Sequence, residues 1–415
     1  MIGRIGGIDG VALETEKWIH VLRDLGHEVF VLTGELEAPC AGATLLPELA
    51  FSHPDNDREQ DDAFFVQDAD EAELLDFLEK GADYIEREVL RWMNEIGIDL
   101  LITQNCTVLP CHLRMGMAMK RVIERTGIPT IAHDHDFPWE RGDRYKSRYQ
   151  GVNAIIDECF PPDLPNLTHA VINSHCQDSL RRERNMHATV IPNVMDFEAP
   201  YGQRDNFNRN LRTELGHNAD DILLFQVTRI VRRKGIETAI ELIERLDDPR
   251  MKLIITGTAT DDHLEGYLHE LESRAAKLPR PGQVQFAGSR FANVRVSPNG
   301  SRPVFSLSDA YAHAHALTYF STYEGFGNAF VEALAARVPI FVNNYKPVYW
   351  PDIGSLGFKT VQIEDNDLTD DAVEEIRAVL TDADRRADIG DFNFELGRKH
   401  FSYRVLSELL EPLLP

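Results

Sequence analysis

Short apolar runs alternate with amphipathic stretches along almost the whole chain, and that alternation leaves few folds open. Val29–Leu32, Leu100–Thr103, Thr130–Ala132 and Ala170–Asn173 read as strands, as do Ile222–Thr228, Leu253–Thr256, Val284–Ala287, Leu317–Ser321 and Pro339–Val342. Their apolar residues run on without alternating, the pattern of strands covered on both faces. Between them lie helical stretches. Residues 11–25 carry Val11, Trp18, Leu22 and Leu25 on one face, a longer stretch spans about 66–96, and Ile236–Leu246 repeats the pattern. Strands alternating with helices predict an α/β fold with parallel sheets covered by helices.

At 415 residues the chain exceeds one ordinary core. Val190-Ile191-Pro192-Asn193, followed by a polar segment over 203–221, marks a boundary. The reading is an N-terminal domain over 1–194, a C-terminal domain over 195–393, and a helix over 394–415 returning to the first domain. In such sheets ligands bind beyond the carboxyl ends of the strands. Only Met1–Ile5 precede the first glycine turn, too few for a strand of ordinary length. The N-terminal domain is therefore expected to lack its first strand, or the chain to be cut upstream. The acidic stretch Phe51–Asp62 reads as a loop, either a solvated excursion or a lid or wall of an acceptor pocket.

Charge and cysteine use narrow the function classes. With 43 Lys and Arg against 68 Asp and Glu, the net charge is −25. Such a surface repels phosphate backbones and anionic lipid, which argues against nucleic-acid and membrane partners. No apolar run approaches the roughly 20 residues of a membrane span. The five cysteines form no CxxC pair, and Cys106, Cys111 and His112 fit no common zinc spacing. These features predict a cytoplasmic protein.

Four constellations carry candidate chemistry. Gly6-Gly7-Ile8-Asp9-Gly10 opens the first helix, where backbone N–H groups favour an anion. Arg229, Arg232, Arg233 and Lys234 place four cations in six residues at a strand end, able to neutralise a diphosphate or to form a solvated basic turn. Ser321-Thr322-Tyr323-Glu324-Gly325-Phe326-Gly327-Asn328 runs from strand to helix. Its glycines permit a tight turn that aims the Asn328, Ala329 and Phe330 N–H groups at a phosphate. Glu324 and Glu332 are suited to sugar and ribose hydroxyls. In His133-Asp134-His135-Asp136, strand alternation puts the histidines on one face and the aspartates on the other, which halves the ligands open to a metal.

Together these residues resemble family 4 of the retaining glycosyltransferases, with the two-Rossmann GT-B fold. Glu324-Gly325-Phe326-Gly327 with Glu332 matches the family's E-x7-E motif, and Ser321 its preceding serine. Arg229 and Lys234-Gly235 match its diphosphate-binding pair, Val190–Asn193 with Asp196 its interdomain segment, His135 its cleft histidine, and Gly6-Gly7 its N-terminal loop. One departure stands out. The usual Gly-Gly after the strand at 339–342 is replaced by Asn343-Asn344-Tyr345-Lys346-Pro347, so contacts there do not carry over.

The resemblance implies two Rossmann-like domains facing across a cleft, and transfer of a hexosyl group from a nucleoside diphosphate sugar with retention. The expected catalytic residues are His135, Arg229, Lys234 and Glu324. The expected donor-binding residues are Gly6, Gly7, Gly325, Phe326, Gly327, Asn328, Ala329 and Glu332. No metal or cofactor is expected, and the front-face substitution needs no covalent nucleophile. The acceptor is expected to be soluble and small: a sugar, sugar acid or sugar phosphate. Alternative readings are an epimerase or phosphorylase acting on related substrates, or a non-catalytic sugar-nucleotide binder.

Overall fold

A computed structural model describes residues 1–6, 9–259, 265–297 and 302–414. The chain divides into two compact units, Met1–Pro192 with Leu406–Pro415, and Asn193–Val405.

The first unit holds strands β1 (Ile2–Ile5), β2 (Val31–Leu36), β3 (Ala43–Leu45), β4 (Leu101–Gln104), β5 (Thr130–Asp134), β6 (Leu167–Val171) and β7 (Ala188–Val190). All pairings are parallel, in the runs β1-β2-β3 and β4-β5-β6-β7. Met1 joins the two runs, because its N donates to Ile102 O at 2.6 Å and its O accepts from Gln104 N at 2.9 Å. The expectation that this domain lacks its first strand is therefore corrected. Ile2 pairs in register with Thr33, and Ile2 and Ile5 are buried. Four residues suffice because β1 is flanked on both sides. It is also where the strand order reverses, the position at which ligands meet such sheets.

The stretch Phe51–Asp62 is not a loop. Pro54–Gln60 is an α-helix that passes into a π-helical turn, Asp61–Phe65. His53 caps the Asp55 N–H, and Pro54 presets the first turn. Glu59, fully buried, accepts from Arg114 Nε at 2.9 Å and from the Leu113 N–H. That ion pair, invisible to local pattern, pins an acidic helix to the domain. The following helix begins at Glu71 rather than about 66, where Asp70 accepts from the Ala72 and Glu73 N–H groups.

The second unit holds β8 (Ile222–Gln226), β9 (Met251–Ile255), β10 (Val284–Phe286), a small pair β11 (Phe291–Ala292) and β12 (Phe305–Ser306), then β13 (Ala316–Tyr319), β14 (Ile340–Asn343) and β15 (Val361–Ile363). Its parallel sheet has the order β10-β9-β8-β13-β14-β15, so β8 and β13 are neighbours with their carboxyl ends side by side. The helix Ile236–Leu246 buries Ile236, Ile240, Leu242, Ile243 and Leu246 against it. Each such side chain contributes about 1.5–3 kcal/mol. Among the described residues no helix is long and apolar enough to cross a membrane.

Candidate functional site

In the second unit, the loops leaving β8 and β13 converge. Arg232–Lys234 forms a single 3-10 turn, which sends consecutive side chains in different directions. Arg232 turns outward to Glu270 at 2.9 Å. Arg233 turns inward, donating to Tyr323 O at 2.7 Å and Glu324 Oε2 at 2.9 Å. Lys234 Nζ meets Glu324 Oε1. Both ends of this pair are buried, at 9% exposure for Lys234 and 7% for Glu324. Burial opposes the Glu324 charge, but Lys234 and Arg233 outweigh it and hold the carboxyl below its ordinary range. The Thr322 N–H donates to Arg233 O at 2.8 Å, tying the two loops together. Arg229 is exposed on the first of these loops.

Gly235 takes φ +61°, and a Cβ there would lie 2.0 Å from Phe320 O, so no other residue fits behind Lys234. Gly327 takes φ +127°, and a Cβ there would lie 2.5 Å from the Tyr345 hydroxyl. That hydroxyl donates to Phe326 O at 2.8 Å. Asn343 Nδ2 donates to Ser321 O at 2.9 Å. The unusual Asn343–Pro347 segment thus underpins the Glu324–Gly327 turn from below. Sequence reasoning missed both this support and the choice of Arg233 over Arg232, and no local signal distinguishes them.

Gly327 precedes the helix Asn328–Ala335, and no side chain caps that end. The Asn328 side chain accepts from Asn193 Nδ2 at 2.6 Å, while Gly325 and Ala329 are half-buried and Phe326 is buried. Glu332 stands apart from Glu324's cation cluster. It accepts from the Tyr311 hydroxyl at 2.7 Å, and Tyr201 also bonds to it.

In the first unit, Gly6 takes φ +90°, and a Cβ would lie 2.4 Å from Ala38 N. Gly7 lies outside the described residues. The helix that follows is already capped: Asp9 accepts from the Val11 and Ala12 N–H groups at 2.8 and 3.2 Å. Its carboxylate occupies the place where an anion would bind, so this end offers less to a phosphate than the uncapped end at Asn328.

His135 N donates to Asn105 Oδ1 at 3.0 Å, and its Nε2 has no partner among the described residues. Burial pushes the imidazole down to about 4, with Asp9 acting against it, so the ring is neutral at pH 7. His133 lies beside it at 4.5 Å between ring centroids, stacked on Trp18 at 4.1 Å. Asp134 pairs with His169 at 2.7 Å and Asp136 with Arg141, so neither aspartate joins the two histidines. His112 is spent on capping the helix Leu113–Thr126, accepting from Met115 N.

Residues 207–395 match the family described as glycosyl transferases group 1. The mannosylglucosylglycerate synthase of Thermotoga maritima is 33% identical, over 98% of this chain and 97% of its own. In fold, the sucrose-phosphate synthase of Thermosynechococcus elongatus is similar at a TM-score of 0.65 and 16% identity, over 99% of this chain and 97% of that one. The Anabaena HepE protein, in complex with UDP and glucose, is similar at a TM-score of 0.61 and 14% identity, over 99% and 98%. The chain belongs to the group 1 glycosyl transferases of family 4 and has their GT-B fold.

Proposed function

We propose that the protein transfers a mannosyl group from a nucleoside diphosphate sugar to glucosylglycerate, with retention at the anomeric carbon. Likeness to the Thermotoga synthase across nearly the full length of both chains supports this acceptor and sugar. The observation that carries the donor reading is the buried Glu324–Lys234 pair, with Arg233 on the same carboxylate, beside an uncapped helix end. A chain of net charge −25 gathers Arg229, Arg233 and Lys234 there around one carboxylate, an excess of positive charge suited to a diphosphate leaving group.

In this reading Arg229, Lys234 and the Asn328 and Ala329 N–H groups hold the diphosphate. Glu324 keeps Lys234 in place and offers its remaining lone pairs to hydroxyls of the donor sugar. Glu332, oriented by Tyr311, takes the ribose hydroxyls. In the first unit, neutral His135 keeps an Nε2 that it can offer to substrate. The bond from the anomeric carbon to the β-phosphate oxygen breaks, and the acceptor oxygen bonds to that carbon on the same face. The acceptor's proton passes to the departing diphosphate. Arg229 and Lys234 supply the positive charge that a divalent metal can supply to a leaving group.

The test is turnover of GDP-, UDP- and ADP-mannose with glucosylglycerate, with the product's anomeric configuration read by NMR. Glu324→Ala and Arg229→Ala are expected to abolish turnover. Unchanged turnover in either variant overturns the site. An inverted product overturns the mechanism. Loss of activity in EDTA, restored by magnesium or manganese, overturns the metal-free step.

A further inference from the structure

We propose that Arg144 binds the carboxylate of an acidic acceptor and so selects it over a neutral one. The inference rests on the proposed transfer to glucosylglycerate. Arg144 belongs to the loop that leaves the carboxyl end of β5, the same loop that carries His135. Its guanidinium lies over Phe65 at 4.1 Å and Tyr145 at 4.7 Å. Nη2 donates to Gln60 Oε1 at 3.2 Å, and Gln60 Nε2 donates in turn to Pro110 O at 3.0 Å, beyond the end of β4. The charge is therefore anchored between the ends of two neighbouring strands by aromatic faces and a neutral amide.

Other cations of the first unit are differently placed. Arg4, Arg58, Arg114, Arg141 and Lys146 each face a carboxylate. Among the described residues no carboxylate pairs with Arg144, and its buried Nη1 has no hydrogen-bond partner. A half-buried guanidinium with an unmet N–H, in so acidic a chain, lacks the anion that its fork geometry matches. The π-helical turn that supplies Phe65 leaves Phe65 59% and Val66 58% exposed. Together they form an apolar wall beside the charge, suited to the carbon face of a small sugar acid. A carboxylate meets the guanidinium with paired N–H···O bonds, whereas a hydroxymethyl group in its place leaves the charge without a counter-ion.

The experiment compares the intact protein with Arg144→Gln and Arg144→Lys, using glucosylglycerate and the neutral glucosylglycerol as acceptors. Arg144→Gln is expected to raise KM for the acid at least tenfold, the range for losing charge-assisted bonds, with KM for the neutral acceptor unchanged. Arg144→Lys is expected to recover part of the loss, which separates lost charge from lost folding. Equal effects on both acceptors, or none on either, overturn the proposal. If the wild-type protein turns over neither acceptor, the transfer reading fails, and titration with D-glycerate decides the Arg144 site separately. Binding to wild type and not to Arg144→Gln supports it, and equal binding or none overturns it.

Discussion

Replacing Glu324 with Gln removes a charge from between two cations while keeping the side chain's size. The Lys234 side chain is 11% exposed and that of Glu324 8%, so the remaining ammonium is left buried without its counter-ion. Breaking such a pair from one side costs about 3–5 kcal/mol. Arg233 is 38% exposed in its side chain, so water screens its share, and the figure rests on Lys234 alone. A loss of about 3 kcal/mol lowers Tm of the second unit by roughly 6–12 °C. Lys234→Met alone leaves the carboxylate only the partly exposed Arg233, at a smaller cost. The double variant Glu324→Gln/Lys234→Met strands neither charge, and its loss should fall about 2 kcal/mol short of the summed single losses. The sign with pH follows from the depressed Glu324 carboxyl. Its contribution is present at neutral pH and is lost as pH falls through the folded-state value, below the ordinary carboxylate range. Thermal and urea denaturation of the four proteins measure the cycle. Single losses that add to within about 0.5 kcal/mol would refute the coupling.

Other consequences are open to direct measurement. Gly327→Ala forces a Cβ toward the Tyr345 hydroxyl at a positive φ, and should cost about 1–3 kcal/mol in stability along with nucleotide affinity, read by titration with the nucleoside diphosphate that shifts Tm. Gly235→Ala, aimed at Phe320 O, should be at least as damaging in urea denaturation. His135 is held neutral, so kcat/KM should show no limb from this residue between pH 6 and 7; a limb near 6.5 that disappears in His135→Ala would contradict that. Because its folded value is depressed, His135 also costs stability as pH falls from about 6.5 toward 4, where the unfolded chain takes up the proton first. His135→Phe should flatten that part of the stability profile.

How much was legible in advance differs between the two units. The five strands read in the second unit were placed within a residue or two, because continuous apolar runs such as Ile222–Gln226 are buried on both faces, whereas β11, β12 and β15, of two or three residues each, were not read. The same holds for Ile236–Leu246, whose apolar stripe repeats at helical spacing. The first unit was harder. Four residues of β1 carry too little pattern to register as a strand, and only their flanking neighbours make them one. Phe51–Asp62 reads as a loop because the force that folds it, Glu59 on Arg114, spans distant segments.

The amino-acid sequence alone determined the alternating α/β plan, the glycine turn at Gly327 and the residue types of the proposed donor site. Those depend on local periodicity, on backbone freedom and on short spacings such as Glu324 to Glu332, which survive in one dimension. Only the tertiary structure decided which cations reach Glu324, that Asp9 caps the first helix while Asn328 begins an uncapped one, and that Tyr345 closes the turn beneath Gly327. Each of these is a contact between separate loops. Its energy depends on burial and a few tenths of an ångström in distance, which no spacing along the chain encodes.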